Sequence, residues 1–281
     1  MTCYWQELLE IVPVWLRGYL DEREQLREIR LRLGQPPLLV SREAERVPSC
    51  RRVSADDLQY MVNLVSRYSA YASAGLRQCC LTARGGHRLG ICGRAVTQQG
   101  QMTGLRELYS VCLRVARDVP GAANGLISRL PAGSVLILGP PGCGKTTLLR
   151  DLIRQISDHL HQTVSVVDER GELFPACGGQ FPTGMRTDVL SYVPKGQAIE
   201  RMLRAMGPMW IAVDEITAES DCQVMEQAVA CGVRLLATAH AGNLADLSRR
   251  PVYRKLLETG DFCHAIVLNR ENSYTVEDLT R

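Results

Sequence analysis

A glycine-rich segment carries the strongest chemical signal in the sequence. It reads GPPGCGKT and runs from Gly139 to Thr146, after the apolar run SVLILG and before a helical pattern. Glycines at this spacing let successive backbone N–H groups turn toward a bound phosphate, and the N-terminus of the following helix adds partial positive charge. The order of strand, glycine-rich turn and helix therefore predicts a loop that binds the phosphates of a nucleotide.

The lysine in this loop is informative because lysine is scarce in the chain. Of 33 lysines and arginines, only Lys145, Lys195 and Lys255 are lysines. A compact ammonium at Lys145 can reach between the β- and γ-phosphates of ATP, where a planar guanidinium is too broad. By the same reasoning, Lys195 indicates a need for a point charge or a small head group. The residues expected to bind the nucleotide are Gly139, Pro140, Pro141, Gly142, Cys143, Gly144, Lys145, Thr146 and Thr147.

A second segment, MWIAVDE, ends an apolar run in two acids. A buried strand of this kind in a parallel sheet ends at the same edge as the phosphate loop. Asp214 is expected to hold Mg²⁺ through water, together with the hydroxyl of Thr146. Glu215 is expected to orient or deprotonate the attacking water. An acid at a strand end is common by itself, and its position after a phosphate loop is what supports this interpretation.

Two further groups of polar residues follow predicted strands. VVDERGEL places Asp168, Glu169, Arg170 and Glu172 after one strand, and LLATAHA places His240 at the end of another. The acidic cluster is interpreted either as part of the nucleotide site, positioning metal or water, or as a solvated loop. His240 is interpreted either as a sensor of the γ-phosphate or as a structural histidine. Both pairs of alternatives stay open at the level of the sequence.

The order of the surrounding elements predicts two domains. In residues 133–281, apolar strand candidates alternate with helical stretches, which indicates a parallel sheet covered on both faces. Residues 1–117 predict a smaller α+β domain with an antiparallel sheet. Its candidates are the strands EIRLRLG, PPLLVS and YSVCLRVA, the hairpin GGHRLGICGRAVTQQGQ, and one helix after Ser54. The glycine- and proline-rich residues 118–132 are the expected linker.

Composition argues against several classes of protein. The net charge of +3 is too small to indicate nucleic-acid or membrane binding, and the 5% of aromatic residues weakens a base-stacking function. No apolar run reaches about 18 residues, and the N-terminus lacks the basic and apolar regions of a signal peptide, so a cytoplasmic protein is expected. The 11 cysteines form no metal-ligand spacing with histidines and are expected to be reduced thiols.

Together these segments resemble the P-loop ATPases of type II and type IV secretion systems and the pilus motors. That family has the same order of P-loop, acidic box, strand ending in glutamate, and strand ending in T-x-H. More narrowly, the segments EIRLRLGQPP, GHRLGICGRAV, GPPGCGKTTLLRDL, VVDERGEL, GMRTDVL and AVDE, between about Glu28 and Arg270, resemble the stage III sporulation AA family of endospore-forming bacteria. The resemblance implies a P-loop NTPase fold of the RecA/AAA type for the second domain.

The resemblance also implies roles for individual residues. Lys145, Asp214 and Glu215 would serve Mg²⁺-dependent ATP hydrolysis, the acidic box would contribute Glu169 as a catalytic residue, and His240 would be the histidine box. Such ATPases form hexamers in which arginines complete the nucleotide site. The candidate arginines are Arg30, Arg32, Arg186 and Arg204.

The implied biological role is that of a motor. The resemblance implies a cytoplasmic ring at the inner face of the cell membrane, docked to membrane-embedded sporulation or secretion proteins. One residue departs from the family pattern, because secretion motors usually have glycine before the catalytic glutamate, where this chain has Asp214. The site is therefore more like that of a generic P-loop hydrolase, and a metal role for the acidic box stays open.

Two other functions remain as alternatives to the motor. The first is a nucleic-acid-binding ATPase, against which the few aromatic residues argue, so that no nucleic-acid partner is expected. The second is a nucleotide-binding scaffold that hydrolyses poorly, against which the pairing of Glu215 with Asp214 argues.

Overall fold

The computed structural model describes residues 3–41, 43–67, 79–175, 181–269 and 273–279. These residues form two compact units. The first comprises the described residues up to Asp118, together with Pro175 and Phe181, and the second comprises the described residues of Val119–Phe174 and from Pro182 onward. That residues 118–132 act as a linker stays a prediction.

The first unit is built on a six-stranded antiparallel sheet. Its elements are α1 (Trp5–Ile11), α2 (Val14–Arg17), a 3-10 turn (Glu22–Glu24), β1 (Glu28–Arg32), β2 (Leu38–Val40), β3 (Glu45–Arg46), α3 (Ala55–Arg67), β4 (Cys80–Thr82), a second 3-10 turn (Arg84–Gly86), β5 (Arg88–Gln98) and β6 (Gln101–Arg114). The strand order is β3-β2-β1-β6-β5-β4, and every neighbouring pair is antiparallel. The predicted α+β fold with an antiparallel sheet is confirmed.

The alternation of charged and apolar residues along β1 shows which face of the sheet is turned toward the core of this unit. Ile29 and Leu31 point inward and are fully buried, whereas Arg30 and Arg32 lie on the other face. The inward residues pack in one cluster with the apolar side of α3, which includes Leu58. Helix and sheet thus close a single core in the first unit.

One predicted strand of this unit is corrected by the structure. YSVCLRVA was expected as a strand separate from the hairpin, but its first residues belong to β6, which runs without interruption from Gln101 to Arg114. The segment GGHRLGICGRAVTQQGQ, expected to form a hairpin by itself, supplies only the first arm and the turn, because Arg88–Gln98 is the single strand β5. The second arm is β6, which pairs with β5 along nearly the whole length of β5, with register shifts along the way.

The second unit is built on a seven-stranded, mostly parallel sheet. Its elements are α4 (Asn124–Ile127), β7 (Val135–Gly139), α5 (Lys145–Asp158), β8 (Val164–Asp168), β9 (Thr187–Ser191), α6 (Lys195–Met206), β10 (Trp210–Val213), α7 (Glu219–Ala230), β11 (Arg234–His240), α8 (Leu244–Ser248), α9 (Pro251–Glu258), β12 (His264–Leu268) and β13 (Tyr274–Asp278). The strand order is β13-β12-β7-β11-β10-β8-β9. All neighbouring strands are parallel except β12 and β13.

Helices cover both faces of this sheet, as the sequence predicts. On one face, strand residues such as Leu136 and Leu138 pack with the buried sides of α6, α7 and α9. The alternate residues Val135 and Ile137 are equally buried, and α5 contacts β7, β8, β9 and β11. Burial on both faces explains why β7 and β10 are continuous apolar runs rather than alternating ones, and why all five residues of β8 are buried, including Ser165 and Asp168. Within the described residues, no helix is both long and apolar enough to cross a membrane.

A buried histidine makes the stability of the first unit depend on pH. The His87 side chain is fully buried, its Nε2 lies 3.0 Å from the carbonyl oxygen of Tyr4, and its Nδ1 accepts the backbone N–H of Ala116 at 3.1 Å. Burial lowers the pKa of His87 below its ordinary 6.5. The folded state thus binds fewer protons than the unfolded state, so this contribution to stability is full above pH 6.5 and is lost as the pH falls toward the lowered pKa.

We expect the free energy of unfolding to decline below pH 6.5, with a slope from this one group of at most about 1.4 kcal/mol per pH unit. Urea titrations at several pH values measure it. His87→Gln should flatten this part of the profile, whereas His159→Gln, at an exposed position, should leave it unchanged. An identical pH profile for the parent and His87→Gln would contradict the assignment.

Candidate functional site

The glycine-rich loop connects the central strand β7 to the N-terminus of α5. Gly144 caps the helix with a φ of 98°, in the left-handed region that L side chains rarely adopt. At Gly139 a Cβ atom would lie 2.5 Å from Sγ of Cys143. Glycine is therefore required at both ends of the turn, and the backbone closes tightly in front of the first turn of α5.

Lys145 is the first residue of α5 and is only 5% exposed. Its Nζ lies 2.8 Å from the carbonyl oxygen of Gly139, 3.0 Å from that of Pro140 and 2.9 Å from Nδ1 of His240. Three donors of the ammonium thus have three acceptors. Burial lowers the pKa of Lys145, while the nearby carboxylates of Asp214 and Glu215 oppose that shift.

His240 links the lysine to one of the two strand-end acids. Because the ammonium of Lys145 donates to Nδ1, the proton of a neutral imidazole lies on Nε2. Nε2 faces Oε1 of Glu215 at 3.4 Å. The structure therefore brings Lys145, His240 and Glu215 together in one chain of polar contacts, and the backbone of β11 holds the imidazole in the middle.

Thr238 organises the two acids that follow β10, although it is not among the site residues predicted from the sequence. Its buried hydroxyl donates to Oδ1 of Asp214 at 2.9 Å and accepts the backbone N–H of Glu215 at 2.9 Å. The other carboxylate oxygen of Asp214 accepts the hydroxyl of Thr146 at 3.3 Å. The only signal for Thr238 in the sequence is its place two residues before His240, on the same face of β11.

The acidic loop after β8 contains one carboxylate that is used for folding. Asp168 is 2% exposed and accepts the backbone N–H groups of Glu172, Leu173 and Phe174 at 2.8, 3.0 and 2.9 Å. Burial raises the pKa of Asp168, and the three hydrogen bonds oppose that shift. From α5, the guanidinium of Arg150 donates to the carbonyl oxygens of Leu173 and Glu172 at 2.6 and 3.1 Å. The loop is thereby fixed from two sides.

A cleft joins the acidic loop to the acids after β10. The residues that line it are Asp168, Glu169, Arg170, Glu172, Lys195, Asp214, Glu215 and Thr217. Within it, the ammonium of Lys195 lies 2.7 Å from Oε2 of Glu169. The structure thus brings the acidic cluster, Lys195 and the second acidic pair together, all in the second unit. In the described part of the chain, no group of three or more histidine, cysteine or acidic residues has the geometry to hold a metal ion by itself.

Arg186 and Arg204, the two candidate arginines of the second unit, do not line this cleft. Arg186 lies beside the start of β8, at the sheet edge opposite to the end of that strand, where its backbone N–H donates to Oγ of Ser157 at 2.7 Å. Arg204 lies in the last turn of α6, exposed and paired with Glu200 at 2.6 Å. Arg30 and Arg32 lie on β1 of the first unit, and Arg30 pairs with Glu28 there at 2.6 Å. Their contact with a nucleotide stays a prediction.

Comparison with known sequences finds relatives along nearly the whole chain. The family model described as "Sporulation stage III, protein AA" matches residues 6–277. The chain is similar to stage III sporulation protein AA of Bacillus subtilis (strain 168), with 34% identity over 279 residues, 94% of this chain and 91% of the relative. It is also similar to the uncharacterized protein ycf45 of Porphyra purpurea, with 29% identity over 263 residues, 90% of this chain and 43% of the relative.

Comparison with solved structures shows the fold. The ATPase DotB of Legionella pneumophila superimposes with a TM-score of 0.63 and 17% identity, over 91% of this chain and 76% of that one. The pilus retraction motor PilT, solved with bound ADP, superimposes with a TM-score of 0.63 and 16% identity, over 91% of this chain and 78% of that one. The predicted fold class, a P-loop NTPase domain with a parallel sheet preceded by a smaller α+β domain with an antiparallel sheet, is confirmed.

The contacts of Asp168 predict that it stabilises the fold rather than binds metal. Asparagine keeps only one acceptor oxygen, so Asp168→Asn leaves a buried backbone donor without its acceptor. We expect the free energy of unfolding to fall by about 1–3 kcal/mol, in urea titrations without nucleotide or Mg²⁺. Asp56→Asn, at an exposed position, is the matched control. Unchanged stability without Mg²⁺, combined with loss of the stabilisation that Mg²⁺ confers on the parent, would show that Asp168 is a metal ligand instead.

Proposed function

The chain belongs to the sporulation stage III protein AA family, and on that premise we propose that it is a Mg²⁺-dependent ATPase that hydrolyses ATP to ADP and phosphate. One observation carries the proposal. The loop lysine Lys145 reaches the strand-end acid Glu215 through His240, with contacts of 2.9 and 3.4 Å, at the carboxyl edge of a parallel sheet. The site thus has a buried ammonium that can bind phosphate oxygens and a carboxylate that can orient the attacking water, two of the groups that phosphoryl transfer to water uses.

The residues present fit both a triphosphate and Mg²⁺. The turn between Gly139 and Gly144 opens onto the N-terminus of a 14-residue helix, which favours an anion. The hydroxyl of Thr146 and the carboxylate of Asp214 lie 3.3 Å apart and are oxygen donors, the ligand type that Mg²⁺ prefers. Bound there with water and phosphate oxygens, Mg²⁺ would neutralise charge that develops on the phosphates.

In this mechanism the side chains of the chain exchange internal partners for substrate atoms. The ammonium of Lys145 leaves carbonyl oxygens of its own loop and donates to phosphate oxygens. Glu215 accepts a hydrogen bond from the attacking water and takes its proton as the new bond to the γ-phosphorus forms and the bond to the β-phosphate oxygen breaks. Thr238 holds the backbone of Glu215 and the carboxylate of Asp214 in place during this step, because its hydroxyl is hydrogen-bonded to both. His240 keeps Glu215 oriented through its Nε2.

We further propose that the ATPase works as a motor in a ring. Its structural relatives include a protein described as a pilus retraction motor, which supports conversion of ATP turnover into force. The sporulation family to which the chain belongs supports a sporulation channel or secretion-like assembly at the membrane as the object of that force. In a hexamer, arginines of a neighbouring copy, of which Arg186 and Arg204 are candidates, would complete the nucleotide site.

Two substitutions separate nucleotide binding from turnover. Lys145→Ala removes the phosphate ligand and should weaken ATP binding by about 100-fold or more. Glu215→Gln keeps the shape but removes the base, so ATP should still bind while turnover falls by about 10²–10⁴-fold. Calorimetry and phosphate release measure the two effects. Glu258→Gln, at an exposed position on α9, is the control for the second. Turnover at the parent rate by Glu215→Gln would disprove the assignment of the base.

The motor model predicts assembly that depends on the nucleotide. With ATP and Mg²⁺, Glu215→Gln should accumulate the ATP-bound ring, because it binds without turnover. Light scattering should then show a species of about six times the chain mass of 31.2 kDa, which is absent without nucleotide and with Lys145→Ala. A chain that stays monomeric under all these conditions would exclude the ring and leave at most a monomeric ATPase.

A further inference from the structure

Lys195 is a second buried lysine in the cleft, and it contacts two loops at once. It is 6% exposed and opens α6, and its Nζ lies 2.7 Å from Oε2 of Glu169, 3.4 Å from Oγ1 of Thr217 and 3.8 Å from Oδ2 of Asp221. Glu169 follows β8, whereas Thr217 and Asp221 follow β10. One ammonium therefore joins the acidic loop to the loop that carries Glu215.

The turn after β10 places two oxygen atoms close to this ammonium. Oδ2 of Asp221 accepts the backbone N–H groups of Thr217 and Ala218, both at 3.1 Å, which fixes the turn before α7. The same oxygen faces Lys195. The hydroxyl of Thr217 lies between them, 3.4 Å from each. Contacts on three sides suit a compact ammonium with three donors better than a planar guanidinium, which directs its donors within one plane.

The charge balance of the cleft gives this contact a consequence for ligand binding. Five of the residues that line the cleft are acids, and the two cations among them are Arg170 and Lys195. The Glu169 side chain is 36% exposed, so its carboxylate faces the cleft as well as the lysine. Without the ammonium beside it, this charge would repel the polyphosphate of a nucleotide.

We propose that Lys195 is a positioning residue of the nucleotide site, which neutralises Glu169 and holds the loops after β8 and β10 together so that the phosphates of a nucleoside triphosphate can bind at the glycine-rich loop. The proposal rests on the function proposed above. Glu169 is then the counter-charge of Lys195 rather than a second catalytic base, and the proton of the attacking water passes to Glu215.

Binding measurements on a set of charge variants test this role. The probe is a fluorescent, non-hydrolysable ATP analogue with Mg²⁺, titrated at ionic strengths of about 0.01 and 0.15 M. We expect Lys195→Met to weaken binding about tenfold or more at the lower ionic strength, and less at the higher one, because salt screens the exposed charge of Glu169. Glu169→Gln should strengthen binding, and the double variant should return to within about threefold of the parent. Lys195→Arg should recover only part of the loss.

The outcomes distinguish neutralisation of Glu169 by Lys195 from a purely structural role of Lys195. A double variant that binds as weakly as Lys195→Met, or a Glu169→Gln variant that binds no better than the parent, would overturn the proposal. If Lys195→Met does not fold, the direction of the Glu169→Gln effect decides. Glu258→Gln makes the same change of charge at an exposed position on α9 and should leave binding unchanged. Binding by the parent and its loss in Lys145→Ala support the nucleotide site at the glycine-rich loop independently of Lys195, whereas a parent that binds no analogue overturns both proposals.

Discussion

A buried ammonium needs acceptors on every side, and this requirement organises the carboxyl edge of the second sheet. Removing a charge of this size from water costs several kcal/mol, which its partners must offset. Lys145 obtains them from two carbonyl oxygens of its own loop and from the imidazole of His240. The loop is therefore curved around the lysine. In the proposed ATPase, nucleotide binding exchanges one set of oxygen acceptors for another and does not have to create the site.

The order of strands in the sheet decides which residues meet that lysine. Along the chain, the acidic loop is the first chemical segment after the glycine-rich loop, but β11 and then β10 lie between β7 and β8 in the sheet. At about 4.8 Å per strand, the end of β8 is about 14 Å from the end of β7. His240 at the end of the adjacent β11 contacts Lys145, whereas Asp168 is used to fold its own loop. The end of β11, which is farther from the glycine-rich loop along the chain than the end of β8, is thus closer to that loop in the folded sheet.

This explains how much of the protein the sequence could predict. Strand and helix types in the second unit follow from continuous apolar runs and amphipathic helices, and β7, α5, β8 and β10 lie where those patterns place them. The edge strands β4, β9 and β13 were not predicted, because a strand with few buried positions leaves little periodicity to detect. The length of β6 was underestimated for the same reason, since much of its pairing with β5 is solvent-exposed.

In the candidate site, the residue types predicted which side chains could act on a phosphate. They did not predict which acid stabilises the fold and which acids face the site. That division depends on hydrogen-bond partners from distant parts of the chain. Asp168 has three backbone donors, Asp214 has two threonine hydroxyls, and Glu169 has the ammonium of Lys195. Thr238 is marked in the sequence only as the threonine of the T-x-H pattern, because a hydroxyl on a buried strand more often satisfies the backbone than orients a site.

The backbone of Glu215 shows how closely β11 controls the proposed base. Its φ of 38° lies in the left-handed region, which costs a residue with a side chain about 1–3 kcal/mol and persists only where the neighbouring structure imposes it. Two bonds to Thr238 impose it here: the N–H of Glu215 donates to the hydroxyl at 2.9 Å, and the N–H of Ile216 donates to the carbonyl oxygen at 3.0 Å. The strained residue is thus held by the strand that also carries His240. Through these contacts β11 links the carboxylate of Glu215 to the lysine of the loop, although Lys145 and Glu215 do not touch. In the proposed mechanism, the base and the imidazole that orients it are thus held by the same strand.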